Sequence, residues 1–442
     1  MPVFALALAG RSRYNFNVIS PAKPPVRRLR DLSPQQWKSG IAAWLGWFFD
    51  GLELHLYTLV AAPFVMHLVG AATTSDNLVK EKSSWIQASF LIGWALGGAC
   101  FGRVGDLLGR SRALCLTILT YALFTGLSFL ATEWWHLLIF RFLAALGVGG
   151  EWAIGSALLS ETWPKRWRPW IAAVLQTGVN LGILLATATA YSMKGLPERY
   201  VFLVGIVPAL VVYWIRRQVP EPVEWQQARE QARHHEPKLL DLFRGEVRRT
   251  TILAIIVCAT SLSGWWAFMF WYPQHILALP ELGTWTMEAK RGLVAKTFFW
   301  VILISILGNY VSGGLARWLG YRKAMSLMFA GFVATFVGAF VPHWDYQTLT
   351  GFWLPFIGFW SGLFGLFTMY LPPLFPTLLR TTGAGFCYNI GRLFSAFATI
   401  YGGKITAGGN FQTTLLLIGM LFIPPMVVIW WMPEPPEEFN DA

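Results

Sequence analysis

Of the 442 residues, 55% are hydrophobic and 13% charged, with a mean hydropathy of +0.48; a soluble domain carries roughly 25% charged residues, which excludes a secreted, cytosolic or nuclear protein. Twelve bilayer crossings of roughly 20 apolar residues would use about 240 residues, a little over half the chain, and so match the hydrophobic share. The net charge of +12 then reports topology rather than nucleic acid, because Lys and Arg gather in cytoplasmic loops.

Residues 1–40 read as a basic cytoplasmic tail with seven Lys or Arg. Its opening, MPVFALALAG, has no basic n-region and too short an apolar stretch for a cleaved signal peptide. Apolar runs near 41–66, 85–102, 113–131, 137–160, 170–191 and 201–216 form a first set of six spans. Asp50 and Glu53 interrupt the first and share one helix face, with His55 just beyond. After span 2 comes Gly102-Arg-Val-Gly-Asp106-Leu-Leu-Gly109-Arg110-Ser-Arg112. Its glycines let helix ends approach closely; Asp106 is placed to accept from span N-termini, and Arg110 to bridge to a neighbouring carboxylate. Span 4 carries Arg141 and Glu151 and ends in Ser160-Glu-Thr-Trp-Pro-Lys165. Glu161 with Arg168 is expected to complete a cytoplasmic latch, intact only when the inside is closed; a purely topogenic basic loop is the alternative. Gln176 and Asn180, at i and i+4, share a face of span 5.

Residues 217–249 form the only long polar segment, and its stretch from Glu224 to His235 reads either as a surface helix or as solvated linker. It divides the chain into six-span units at 41–216 and 250–432, followed by an acidic tail at 433–442. Runs near 250–272, 293–312, 324–341, 351–374, 383–403 and 412–432 make the second set. Trp265, Trp266, Phe268, Phe270 and Trp271 in span 7 read as packing or interface belt, with a substrate slot as the alternative. The loop after span 8 (Gly313-Gly-Leu-Ala-Arg317-Trp-Leu-Gly320-Tyr-Arg322) echoes the loop after span 2, with Arg317 at the place of Asp106. Pro164-Lys-Arg-Trp-Arg168 is echoed by Pro376-Thr-Leu-Leu-Arg380. Two echoes at the same six-span offset describe duplicated halves facing each other across a midplane site, the plan of secondary transporters. With the N-terminus inside, one side holds 25 Lys or Arg and the other eight, which puts both termini in the cytoplasm. Cys100, Cys115, Cys258 and Cys387 lie in or beside apolar runs and form no disulfide framework.

These motifs carry a resemblance. GRVGDLLGRSR resembles the loop 2–3 signature of the major facilitator superfamily. RFLAALGVGGEW (Arg141–Trp152) is similar to the span 4 signature of its metabolite–proton symporters, and Ser160–Lys165 resembles the Glu-Ser-Trp-Pro-Lys type found in sialic acid and related carboxylate symporters. TLLRTTGAGFCYNIGR (Thr377–Arg392) is similar to the span 11 entry of the same group. The resemblance implies an all-α polytopic fold of twelve transmembrane helices in two pseudo-symmetric six-helix halves. Ala145, Pro373 and Arg317 depart from the pattern, so the second-half gate is expected to be weaker or differently paired.

Of the acids, only Asp50, Glu53 and Glu151 fall well inside spans, and of the basic residues only Arg141 and Arg392. A charge at the bilayer centre costs about 2.5–3.5 kcal/mol, so these five should face one another or a wet cavity. At about 1.5 Å per residue, Asp50, Glu151, Asn180 and Arg392 all land near mid-bilayer. Asn389 shares a helix face with Arg392. Buried carboxylates can load and release protons near physiological pH, and an arginine offers a bidentate clamp for a carboxylate. Asp50 with Glu53 or Glu151 is therefore expected to carry a proton, and Arg392 or Arg141, with Gln176, Asn180 and Asn389, to hold an anionic substrate. A static pair between Arg141 and an acid is the alternative for that residue.

The expectation is a proton-coupled symporter of a small organic anion, a monocarboxylate or acidic sugar, working in the cell membrane by alternating access. A drug–proton antiporter or another facilitator is the nearest alternative. A membrane sensor would normally carry a sizeable soluble domain, and a membrane transferase would want a DxD pair or a His–Asp constellation; neither is found. The expected partners are the substrate, H⁺ and the lipid bilayer, with no nucleic acid, no obligate protein partner, no metal and no cofactor.

Overall fold

The computed structural model describes residues 28–73, 76–193, 196–232, 237–406 and 411–435. Most of the basic tail, His234 and His235 of the linker, and residues 436–442 of the acidic tail lie outside the described residues. The first helix, α1 (Pro34–Val69), begins seven residues before its apolar run does. Ser33 and Gln36 form a reciprocal capping box, Gln36 N donating to Ser33 Oγ at 3.3 Å and Ser33 N to Gln36 Oε1 at 2.8 Å, and Pro34 occupies the first helical position, where its missing N–H costs nothing. Its 36 residues extend about 54 Å, well past the roughly 30 Å hydrocarbon core. Hydropathy sees only the part of such a helix that lies in lipid.

The first half continues with α2 (Asn77–Leu108), α3 (Arg110–Ser128), α4 (Trp134–Thr162), α5 (Arg168–Ser192), and a sixth crossing broken into α6 (Val201–Val204) and α7 (Pro208–Gln218). The linker contributes α8 (Val223–Gln231), so part of it is helical. The second half comprises α9 (Val247–Leu277), α10 (Met287–Leu319) and α11 (Tyr321–Phe340). A tenth crossing follows, built from α12 (Tyr346–Thr348), a π-helical turn at Leu349–Trp353, α13 (Leu354–Trp360) and α14 (Leu363–Tyr370). Then come α15 (Arg380–Thr406) and a last crossing made of α16 (Phe411–Met420) and α17 (Ile423–Val428). Prolines at 208 and 424–425 mark the breaks in the sixth and twelfth crossings, since each lacks the N–H a continuous helix needs. Among the described residues, ten of the crossings are long and apolar enough to span a membrane. The other two, α1 and α15, are those that carry Asp50, Glu53 and Arg392.

Buried apolar side chains fall into two bodies. One lies wholly within residues 42–219. The other fills the second half and reaches across to Trp47, Trp152 and Leu175 of the first. The span 7 aromatics mostly serve this second core: Trp265 packs on Phe268, Phe332 and Phe364 at centroid distances of 5.8–6.4 Å.

The internal duplication extends beyond the two echoed loops. Glu221, between Pro220 and Pro222, accepts from Ser111 N and Arg112 N at 3.1 and 3.0 Å, capping the start of α3. Glu434, between Pro433 and Pro435, accepts from Tyr321 N at 2.7 Å and from Arg322 Nε at 2.6 Å, at the start of α11. A carboxylate suits the positive end of a helix. The preceding glycines, Gly109 (φ 102°) and Gly320 (φ 85°), hold a left-handed backbone that side chains disfavour, and a Cβ there would run into the same carboxylates.

Candidate functional site

At mid-bilayer α1, α2, α3, α4 and α15 converge on the buried charges. Asp50, Glu53, Arg141, Glu151 and Arg392 are each at most 8% exposed. The structure sorts them into two groups. Arg141 is engaged: its Nη1 lies 2.5 Å from Glu53 Oε1, and its guanidinium sits 4.9 Å over Tyr57 and 4.5 Å over Phe90. This is the arrangement of the static-pair alternative for Arg141, whose charge is met by a carboxylate of the protein.

Arg392 is different. Among the described residues it makes no ion pair. Its Nη1 donates to the Asn389 oxygen, and its guanidinium lies 3.9 Å over the Trp94 ring and 4.9 Å over Tyr388. Asn389 in turn donates to Gly149 O at 3.2 Å and Gly385 O at 2.9 Å, tying α15 to α4. Asp50 lies within the electrostatic reach of Arg392, and its carboxyl faces that of Glu151. Among the described residues no donor completes a hydrogen bond to either Glu151 oxygen, and the buried hydroxyl of Tyr121 of α3, within its reach, is likewise unsatisfied. Trp152 stacks on Tyr388 at 3.9 Å, and Trp94 meets Trp266 edge-on at 5.9 Å, so aromatic pairs bridge the halves around the arginine.

The polar residues of α5 are placed less centrally than their depth suggested. Asn180 donates to Ser305 Oγ at 2.5 Å and to Ile302 O at 3.3 Å on α10, a bond between the halves. Gln176 is half-buried, with its Cβ facing Gly365 of α14. His55 Nδ1 lies 3.0 Å from Gly51 O, within its own helix.

Gly46 is a site residue that charge-reading missed. One turn before Asp50, it faces Glu151, whose Cδ would lie 3.0 Å from a Cβ built at Gly46 and whose Oε1 would lie closer still. The only sequence signal was a glycine at i−4 from a buried acid. Gly46→Ala is expected to push Glu151 away from Asp50 and to cut transport sharply, while an exposed control such as Gly292→Ala, where a Cβ meets nothing within 4 Å, leaves it unchanged; initial uptake rates check this.

At the end of the bundle that carries the linker, the halves are clasped. Asp106 Oδ1 accepts from Thr381 N at 3.2 Å, and its Oδ2 from Thr382 N at 2.9 Å and Thr382 Oγ1 at 2.5 Å, all at the N-terminus of α15. Thr381 Oγ1 donates to Gly102 O at 2.6 Å. Arg110, fully buried, reaches Asp106 at 3.0 Å, Glu161 at 2.7 Å and Thr377 O at 2.6 Å. Glu161 also receives Arg380 at 3.1 Å. The expected Glu161–Arg168 pair is corrected: Arg168 donates instead to Ser160 O, one of the carbonyls that the end of α4 leaves without a helical partner. Arg380 is the echo of Arg168, so the duplication held a signal for it. Among the described residues the second-half loop makes no equivalent clasp, since Arg317 has no carboxylate to receive a helix N-terminus; there Gly313 packs on Pro169 O.

The helix α8 lies across this clasp. Trp225 Nε1 donates to Asp106 O at 2.9 Å, and Glu224 Oε1 accepts from Arg380 at 2.8 Å and Thr377 Oγ1 at 3.1 Å. Burial works against the Glu224 charge, but the Arg380 guanidinium, the Thr377 hydroxyl and the Arg168 charge together outweigh it and hold the carboxyl below its ordinary range. A depressed carboxyl contributes fully above the unfolded value of about 4.3 and loses its contribution as pH falls through the depressed one. The docking of α8, followed by Trp225 fluorescence, is therefore expected to stay constant from about pH 5 to 8 and to loosen only in stronger acid.

Comparison with known proteins follows the same lines. The sequence profile described as Major Facilitator Superfamily matches residues 39–399. The chain is 30% identical over 400 residues to a probable 4-methylmuconolactone transporter of Cupriavidus pinatubonensis, covering 88% of this chain and 89% of that protein. It is 25% identical over 406 residues to the sialic acid transporter NanX of Escherichia coli, covering 90% and 95%. The fold matches the proton:xylose symporter XylE bound to 6-bromo-6-deoxy-D-glucose with a TM-score of 0.72 at 15% identity, covering 90% of this chain and 96% of that one. A twelve-crossing duplicated bundle with a charged midplane and a clasp at one end is a multi-pass membrane transporter, not an enzyme, and this chain belongs to the Major Facilitator Superfamily.

Proposed function

We propose that the protein is a proton-coupled symporter of a small organic anion, a monocarboxylate or acidic sugar, working by alternating access in the cell membrane with both termini cytoplasmic. The observation that carries this reading is Arg392: a buried guanidinium that makes no ion pair among the described residues, held by Asn389 and within electrostatic reach of Asp50. A bidentate carboxylate is the ligand its geometry suits. The aromatic faces of Trp94 and Tyr388 favour an unsaturated or ring-bearing body behind that carboxylate. Both curated relatives described above are named for carboxylic acids, which agrees with the class.

The acids supply the coupling. Two buried carboxyls that face each other disfavour double ionisation, so Asp50 and Glu151 are read as a pair that titrates as a unit. Glu53 holds Arg141 in place through their ion pair. A bound carboxylate at Arg392 takes over the charge that Asp50 otherwise senses, so substrate and proton change each other's affinity reciprocally. The moving units are residues 41–216 and 250–432, joined by 217–249, with 1–40 and 433–442 as tails. The clasp of Gly102, Asp106, Gly109, Arg110 and Glu161, with Arg168 beside it, closes the cytoplasmic face, so the site opens to the other side in this state.

Proteoliposomes with a pH dye test the proposal against carboxylates, acidic sugars, neutral sugars and organic cations. Alkalinisation outside on adding one carboxylate class is the expected result. A response to cations alone would point to an antiporter, and substrate flux without proton movement to an uncoupled facilitator; either would overturn it.

A further inference from the structure

Far from the charged midplane, a lateral groove of about 760 Å³ lies between α10 and the tenth crossing. Trp285, Trp300, Tyr346, Phe352 and Phe356 wall it, and Lys296 is the only charged residue in its lining. Trp300 and Phe352 are 42% and 55% exposed, so the groove opens sideways on the face a bundle turns to lipid. The π-helical turn at Leu349–Trp353 shapes its floor. Such turns are rare and gather at functional sites. Gly351 within it leaves open space, for a Cβ there meets nothing within 4 Å.

Depth decides what the groove faces. Arg317, in the last turn of α10 at the linker end, and Lys296 are 21 residues apart, which is about 32 Å along a helix. That is close to the roughly 30 Å thickness of the hydrocarbon core. Lys296 therefore stands at the headgroup boundary of the leaflet opposite the linker, ringed by the tryptophan and tyrosine that favour this level. Among the described residues it has no ion pair. Two acids at this end of the crossing already accept backbone hydrogen bonds: Glu281 from Tyr346 N at 2.9 Å, and Asp345 from Gln347 N and Thr348 N, both at 3.1 Å; Glu288 stands about two turns before Lys296 on α10. An unpaired ammonium at headgroup depth, above an apolar slot open to the acyl region, is complementary to a phosphodiester on a diacyl tail.

We propose that this groove is a binding site for one phospholipid of the leaflet opposite the linker, its phosphate on Lys296 and an acyl chain between Trp300, Phe352 and Phe356. The aromatic walls and the open floor at Gly351 take the chain, while Gln347 and the hydroxyls of Thr297 and Thr350 line the polar end. The site is separate from Arg392 and does not depend on the transport reading.

The test uses the full chain purified in detergent, titrated with dioleoyl phosphatidylglycerol and followed by native mass spectrometry. One lipid is expected to be retained. Lys296→Gln, which loses the charge-assisted hydrogen bond to phosphate, should weaken retention about tenfold or more, tenfold being about 1.4 kcal/mol; Lys296→Arg should restore it. Gly351→Phe, whose Cβ meets nothing within 4 Å and whose ring would occupy the groove, should also displace the lipid. Dioleoylglycerol, which lacks the phosphate, should not be retained. Equal retention by wild type, Lys296→Gln and Gly351→Phe would overturn the proposal. So would equal retention of dioleoylglycerol, or competition by soluble glycerol phosphate at the affinity of the lipid, which would make the groove a site for a soluble anion.

Discussion

Arg392→Ala is expected to abolish saturable uptake, and Arg392→Lys to recover little of it. Removing one member of a buried, hydrogen-bonded charge pair costs about 2–5 kcal/mol, so a substrate carboxylate that meets this guanidinium would bind about thirtyfold or more weakly. Lysine keeps the charge but loses the planar fork that Asn389 aligns and the face that rests on Trp94, and a point charge on a flexible stem is a poor replacement at a stacked bidentate site. Equilibrium binding of the transported anion to purified wild type and variants measures this directly. Wild-type affinity in Arg392→Ala would remove Arg392 from the substrate site. Arg141→Ala is predicted to behave differently. It leaves Glu53 buried without its partner, so its loss should show first as lowered thermal stability, with the affinity of whatever protein folds less affected.

Asp50→Asn is expected to separate transport from its driving force. The amide preserves shape next to Glu151 but holds no exchangeable charge. A tenfold proton gradient supports up to about tenfold accumulation of a co-transported solute, each being about 1.4 kcal/mol; in the variant that ratio should fall to about one. Counterflow exchange at equal pH, which needs only substrate on both sides, should persist. If Asp50→Asn still accumulates substrate against its gradient, the proton is carried elsewhere. If it loses counterflow as well, Asp50 belongs to substrate binding or packing.

Much of this was legible in the sequence because lipid imposes blunt rules. Apolar runs of the right length, charges at matched depth and a repeated glycine–aspartate loop are visible in one dimension, and the structure brings Asp50, Glu151, Asn389 and Arg392 together from three different crossings. What stayed hidden was pairing. Whether Glu53 or Asp50 meets Arg141 depends on helix rotation, which the spacing of two acids on one face leaves open. Helix ends were misjudged for a different reason: α1 starts at a polar capping box outside the apolar run. The carboxylates at Glu221, Glu224 and Glu434 looked like ordinary linker and tail charges, because their partners lie about 110 to 156 residues away along the chain. Tyr121 and Gly46 carry no formal charge and so escaped a search built on charge.

The twin caps at Glu221 and Glu434 bear on how the molecule can be cut. In each half the chain, on leaving its last crossing, returns to fasten the start of that half's own third crossing. Each six-helix unit is thereby fastened shut without help from the covalent connection between them. A break in the backbone between α8 and α9 would leave both fastenings intact, along with the Trp225 and Glu224 bonds that α8 makes to the clasp. Two separately synthesised polypeptides, ending and beginning in that interval, carry what they need to find each other in the bilayer and rebuild the carrier.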